Sequence, residues 1–300
     1  MTVFAVLAHG DPSTFELTAE FLAPAQIVVH VDASSDDAAY PRSANISYVA
    51  ERTDVRWGGF SMVRATEKLY GLALEKCSSP NEYVVLLSGQ CVPVRPMKDL
   101  DLLFSHEPGA LYCRAGLLLD GNHVNERRIL QRWFFDRFDA RKPGPAGRAF
   151  ALARRLAQIA SGPRKRSDFE GLTMVAGSQW TALPAGVISS MLAETSLRNR
   201  LTELLRTALA PDEIYFHSLL YSGGWAVAAD APRPEPKGDR RTADFANLHF
   251  IDRSLTKYLS TDELRDIDAP GVYFARKVRA EDPHVLRKTL RGLLARDERR

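Results

Sequence analysis

The feature that most constrains this sequence is an alternation of short apolar runs with helical patterns over its first 115 residues. Residues 3–8 are continuously apolar and bounded by Gly10 and Pro12, the pattern of a strand covered on both faces. Residues 13–22 read as a helix with Phe15, Leu17 and Leu22 among its apolar positions. A β-branched strand over 27–31 ends in Asp32, and further strands are expected at 46–49, 83–87 and 110–113. Residues 61–74 form an amphipathic helix with Ser61 as the expected N-cap. Strand–helix–strand units of this kind predict an α/β fold with a mostly parallel central sheet flanked by helices. At 300 residues, a single domain over 1–300 can bury such a core.

Residues 126–170 break the pattern and read as a basic helical insertion. From 126 to 166 there are twelve cations, and only Glu126, Asp136 and Asp139 oppose them. Trp133, Phe134, Phe135 and Phe138 are interleaved, and Lys142-Pro-Gly-Pro-Ala-Gly147 is turn chemistry. Strand character returns over 173–183, followed by expected helices at 184–193 and 211–220, a strand at 225–228 and a loop at 232–244. A C-terminal helix is expected over 280–300, with Leu286, Leu290, Leu293 and Leu294 on one stripe beside Arg287, Lys288, Arg291 and Arg296.

The whole-chain net charge is only +3, which argues against a nucleic-acid partner. Three cysteines read as reduced thiols. Without a basic leader or an apolar run long enough to span a bilayer, the expected location is cytoplasmic, peripheral to the inner face of the membrane. The leucine stripe with its cations suits that membrane contact; a C-terminal helix packed against the protein is the plainer reading. The basic insertion suits an acidic glycan, an anionic lipid or nucleic acid; the plainer alternative is a solvated face with aromatics packed inward.

No dinucleotide fingerprint, Walker loop, nucleophile elbow or short zinc motif occurs. Asp32 stands at a strand end, where open α/β sheets bind ligands; it equally suits the Ala-Ser-Ser-Asp-Asp turn that follows. Val55-Arg-Trp-Gly-Gly-Phe-Ser61 leads into a helix N-terminus that offers N–H groups to an anion; a simple chain reversal is the alternative. In Pro211-Asp-Glu213 the acids either complement a helix dipole or include a general base. Tyr273-Phe-Ala-Arg-Lys277 sets two cations where they could neutralise a diphosphate; an exposed pair at a strand edge is the plainer reading.

Taken in order, these pieces resemble the core-2/I-branching β-1,6-N-acetylglucosaminyltransferase and peptide O-xylosyltransferase family. The matching segments are Val6-Leu-Ala-His-Gly10, Val29-His-Val-Asp32, Val55-Arg-Trp-Gly-Gly-Phe-Ser61, Leu86-Leu-Ser-Gly-Gln90, Gly177-Ser-Gln-Trp180, Pro211-Asp-Glu213 and Phe274-Ala-Arg-Lys277. The resemblance implies a GT-A-type fold and inverting transfer of xylose or N-acetylglucosamine from a UDP-sugar to a glycan or other hydroxyl acceptor. It implies Glu213 as the general base, and Arg276 and Lys277 on the diphosphate, assisted near Arg253 and Ser254. It places Leu7 and Asp32 at the uridine, Val55, Arg56 and Trp57 along the same pocket, and Gln179 and Trp180 near the donor sugar or acceptor. It implies no cofactor and no metal; Asp-x-Asp occurs only at Asp99/Asp101 and Asp266/Asp268, in helix-start or turn contexts.

Two positions depart from the family pattern. Cys91 stands where an acid is usual, and Asn247-Leu-His-Phe-Ile-Asp-Arg253 carries His249 and Arg253 where Arg and Trp are usual. The Arg-Lys pair and the Trp-Gly-Gly motif lean toward the xylosyltransferase branch and UDP-xylose. The rival readings are a retained fold that binds a nucleotide sugar or glycan without turnover, and a basic interaction module built on 126–166.

Overall fold

The computed structural model describes residues 2–138, 144–227, 233–238 and 240–297. Its strands are β1 (Thr2–Ala8), β2 (Gln26–Val31), β3 (Ile46–Tyr48), β4 (Tyr83–Ser88), β5 (Val92–Pro93), β6 (Ala115–Leu117), β7 (Val175–Gly177), β8 (Ala182–Pro184), β9 (His249–Ile251) and β10 (Phe274–Arg276). Its helices are α1 (Pro12–Leu22), α2 (Ser61–Lys76), α3 (Met97–His106), α4 (His123–Leu130), α5 (Gly144–Ser161), α6 (Ala185–Ala193), α7 (Thr195–Leu205), α8 (Tyr215–Ser222), α9 (Thr261–Arg265) and α10 (Pro283–Asp297).

The central sheet runs β3-β2-β1-β4-β8, parallel except for β8 at its edge. Strand β1 explains its own unbroken apolar run. Val3, Ala5 and Leu7 pack on one face with α2, α6, α7 and α8, while Phe4, Val6 and Ala8 pack on the other with α1 and Phe104. Side chains alternate along a strand, so only burial on both faces calls for an apolar residue at every position. A smaller sheet, β5-β10-β9, and the β6–β7 pair complete the architecture. Among the described residues no helix is long and apolar enough to cross a membrane.

Several expected elements differ. Residues 110–113 form no strand. Tyr112 makes one bridge to Ala182, and the ladder stops because the next partner toward Ala110 is Pro184, which has no N–H. On the other side, the Arg114 N–H goes to Asn247 Oδ1 at 2.8 Å. The 173–183 segment divides into β7 and β8. The 211–220 helix breaks at Ile214 into a 3-10 turn, Pro211–Glu213, and α8. The expected strand at 225–228 is a 3-10 turn over Trp225–Val227. There the Trp225 ring folds back over Gly223, where a Cβ would lie 2.0 Å from it; Ala228 lies outside the described residues. The basic insertion is helical as expected, through α4 and α5, and α5 begins at Gly144 inside the expected turn. Asp139, Arg141 and Lys142 lie outside the described residues.

The C-terminal stripe packs inward. Leu286, Leu290 and Leu293 are buried with Leu17, Val92 and Leu264, while Arg287 and Arg291 pair with Glu20 of α1 at 2.8 and 3.1 Å. The membrane-surface reading of this stripe is therefore corrected: its leucines are already covered by protein. Leu290→Ala should cost about 2–5 kcal/mol in denaturant unfolding; a helix lying loose on the surface would give almost no loss.

Candidate functional site

A cavity of about 520 Å³ opens at the C-terminal ends of β1 and β2, the position that parallel sheets reserve for ligands. Leu7, Asp32, Val55, Arg56 and Trp57 line it, as the sequence suggested, and so do His9, His30, Ser34 and Met62, which it did not single out. Asp32 lines the cavity and also caps the turn that follows it. Its Oδ1 accepts from the Ser34 N–H at 2.7 Å and from the Ser34 hydroxyl, shaping the turn. Its Oδ2 accepts from the Val55 N–H at 3.0 Å, tying the 55–61 loop to the end of β2. His30 Nε2 accepts from the Thr53 N–H at 2.9 Å, and burial holds this imidazole below its ordinary pKa.

The glycine loop does not present an open anion site. Asp136, from the basic insertion, occupies the N-terminus of α2: its carboxylate accepts from the Phe60 N–H at 2.8 Å, the Ser61 N–H at 3.2 Å and the Ser61 hydroxyl at 2.7 Å. Ser61 is the first helical residue rather than the cap, and its hydroxyl accepts from the Arg56 N–H at 2.8 Å. Gly59 is required by this arrangement, because a Cβ there would lie 2.1 Å from Asp136 Oδ1. Phe135 covers Gly58 and meets Trp57 edge-on at 6.0 Å, so the insertion also buttresses the cavity wall. Trp57 itself is 57% exposed.

The second part of the site is built around Arg276 at the end of β10. The Val278 N–H donates to the Gln90 carbonyl at 3.0 Å, and the Gly89 N–H to the Leu7 carbonyl at 2.8 Å; these bonds lay the 276–278 segment against the end of β1. The Arg276 guanidinium lies 4.2 Å from the Trp180 ring centre, and its Nε is buried without a hydrogen-bond partner. Burial lowers its pKa, opposed by the neighbouring Cys91, Glu213 and Asp212. The charges of Arg276 and Lys277 also reach His9 at the cavity mouth. That imidazole is held below its ordinary value first by partial desolvation, with Asp32 pulling the other way. Cys91 is fully buried with its Sγ 3.2 Å from the Ser88 hydroxyl, and burial raises its thiol pKa against the pull of Arg276. His249 packs between Trp180 and Phe274. Gln179 has a buried Nε2 without a hydrogen-bond partner.

Glu213 sits on the turn before α8. Arg128 of α4 donates to its Oε2 at 2.6 Å and the Thr242 hydroxyl to the same oxygen at 3.0 Å. Both contacts fall on Oε2. Desolvation, then the Glu213 charge, raises the pKa of adjacent Asp212, with a backbone hydrogen bond, Arg128 and Arg276 opposing. Lys237, 3% exposed, packs against Gly116. Its amine is lowered to about 7, by burial first and then by Arg128, against the pull of Glu213 and Asp120. Sequence reasoning counted Arg128 only within a basic run and missed Lys237 and Thr242; no local pattern marks them.

Arg253 and Ser254 lie elsewhere, on an exposed turn. Arg253 pairs with Asp244 at 3.0 Å, and Ser254 accepts from the Thr256 and Lys257 N–H groups at 3.3 and 3.2 Å. Neither lines the cavity, and nor do Gln179, Trp180, Arg276 and Lys277.

The sequence model of the Core-2/I-Branching enzyme family matches residues 2–228, so the chain belongs to that family. It is a glycosyltransferase by family, drawing on a nucleotide-sugar donor and an acceptor. Glu213 falls inside the matched residues; Arg276 and Lys277 fall beyond them. A search of curated proteins by sequence gave no match. Among solved structures the chain is similar to mouse xyloside xylosyltransferase 1 in its apo form, with 10% identity and a TM-score of 0.34 over 91% of this chain and 97% of that one. A likeness at that level carries no argument about either protein's activity.

Two outcomes follow from this geometry. Asp136→Ala removes a cap built across 75 residues of chain and should lower unfolding stability by about 1 kcal/mol, measured by urea denaturation; an unchanged midpoint would contradict the capping role. His217 and His249 are buried with both ring nitrogens unpartnered. Burial, aided by Lys237 and Arg276 respectively, holds each at about 3, against 6.5 in the unfolded chain. The unfolded chain therefore takes up these protons first. Their contribution is complete above pH 6.5 and is lost as pH falls toward 3, by about 1.4 kcal/mol per pH unit per histidine. His249→Phe should flatten the acid limb of the stability curve by one histidine's share; an unchanged slope in this variant would contradict the assignment.

Proposed function

We propose that this protein is an inverting, metal-independent glycosyltransferase that moves a sugar, xylose or N-acetylglucosamine, from a UDP-sugar to a hydroxyl acceptor in polysaccharide biosynthesis, within a GT-A-type fold. The observation that carries the reading is Arg276 at the end of β10: a partly buried cation 4.2 Å from the Trp180 ring centre, near enough to interact electrostatically with both His9 of the cavity and Glu213. UDP in the cavity would set its base and ribose against Asp32, Val55 and Trp57, and its diphosphate toward Arg276 and Lys277. Charge developing on the leaving UDP is then stabilised by these cations. Glu213 Oε1 takes the acceptor proton as the hydroxyl oxygen attacks the anomeric carbon. The C–O bond to UDP breaks, and the proton remains on the carboxylate until it is exchanged with solvent. Arg128 and Thr242 orient Glu213 through Oε2.

Glu213→Gln keeps the shape of the side chain and removes the proton acceptor. Turnover, read as UDP release with a panel of UDP-sugars and acceptors, should fall by about 10²–10⁴-fold while UDP-sugar binding persists. Equal turnover in Glu213→Gln would overturn the assignment of the base. Tight UDP binding by the unmodified protein with no turnover on any acceptor would favour a nucleotide-sugar-binding protein that has lost catalysis.

A further inference from the structure

The outer face of α5 is apolar where a surface helix is ordinarily polar. Gly147 is its one buried residue among those described. Leu152, Leu156 and Ile159 are 60%, 58% and 71% exposed. At spacings of four and three residues they form a single stripe along the helix. Arg148 and Arg155, both exposed, run along one edge of that stripe at helical spacing; Ala149 and Ala160 run along the other. The opposite face holds the helix to the protein: Arg154 lies over the Phe135 ring at 4.7 Å, and Phe135 stacks on Trp133 at 5.9 Å. The stripe therefore points outward because the inner face is already engaged.

A hollow of about 620 Å³ lies beside the stripe, between α4 and α5. Arg127, Arg154, Arg155, Trp133, Gln158 and Ile159 are among its walls. Arg155 and Ile159 belong to both features, so the cationic hollow and the apolar ridge meet edge to edge. Scattered exposed leucines need no explanation; an apolar row edged with arginines and adjoining a cationic hollow does.

Charge complementarity selects the occupant. A second copy docked by this face would bring its own Arg148 and Arg155 against their equivalents, which like-charge repulsion disfavours. A nucleic acid would use the arginines and leave the leucines in water. An anionic bilayer matches both, accepting the apolar row at the boundary between headgroups and acyl chains and the guanidinium groups at the phosphates. We propose that α5 is a membrane-surface helix: Leu152, Leu156 and Ile159 enter an anionic bilayer, while Arg148, Arg155 and the hollow lined by Arg127 take up lipid phosphates. The membrane contact expected at the C-terminal helix thus moves to the basic insertion, and it stands independently of the sugar-transfer reading.

Co-sedimentation of the full chain with phosphatidylcholine vesicles, with and without phosphatidylglycerol, tests this. The chain should bind the anionic vesicles, and added salt should weaken that binding. Leu156→Glu combined with Ile159→Glu should reduce it at least about tenfold with an unchanged Tm, since both positions are exposed. Arg148→Gln combined with Arg155→Gln should reduce both affinity and its salt dependence. Failure of the unmodified chain to bind anionic vesicles, equal binding to neutral ones, or undiminished binding by the leucine–isoleucine variant would overturn the proposal. So would a dimer in solution that the same variant converts to monomer, which would assign the face to a second copy.

Discussion

A guanidinium drawn partly out of water is balanced by opposite charge, by an aromatic face or by a ligand, and Arg276, partly buried at the end of β10, is surrounded by groups of these kinds. Trp180 supplies the face, 4.2 Å from the guanidinium. Glu213 and Asp212 supply negative charge at longer range, and the cavity at the end of β1 supplies room for an anion. Each partner comes from a different part of the chain: β10, the segment after β7, and the turn before α8. They belong to three separate units, the β5-β10-β9 sheet, the chain after the β6–β7 pair and the turn before α8, and the hydrogen bonds of Gly89 to Leu7 and of Val278 to Gln90 hold the end of β10 near the end of β1. The cavity and Glu213 are therefore linked through the charge of Arg276.

The basic insertion is not a uniform charged face. Arg128 crosses to Glu213, and Asp136 crosses to the start of α2. Arg164 is buried, donating to the Ile129 carbonyl and the Thr207 hydroxyl, and Arg166 pairs with Glu126. Arg128 thus reaches the candidate base and Asp136 holds the loop that lines the cavity, while Arg164 ties the insertion to Thr207 and Arg166 pairs within it. The exposed cations of α5 form a separate outer surface. A net charge of +3 conceals this division, because the sum says nothing about which cations are already committed.

What could be read in advance was what local pattern controls. The apolar run of β1 was legible because both faces of the sheet are covered, and α2 and α10 because their stripes face protein. The family was legible too: its model matches residues 2–228, which hold every quoted segment except Phe274-Ala-Arg-Lys277. Asp32 could be placed at the cavity because strand ends in parallel sheets are where ligands go. The cap at Asp136 could not be read, since it lies 75 residues from Ser61 in sequence and no local signal connects them. Arg128 and Lys237 were hidden for the same reason. The strand expected at 110–113 failed on a tertiary detail, the missing N–H of Pro184 opposite it, and the leucine stripe of α10 left open whether lipid or protein covers it.

The central claim is that fixed cations at the end of β10 hold the diphosphate without help from a metal. Calorimetric titration of UDP into the unmodified protein and into Arg276→Ala, each with and without a chelator, tests it most directly. The account predicts binding that is indifferent to the chelator and weakened at least about tenfold by the substitution. Equal affinity in Arg276→Ala, or binding that disappears on chelation, would contradict it.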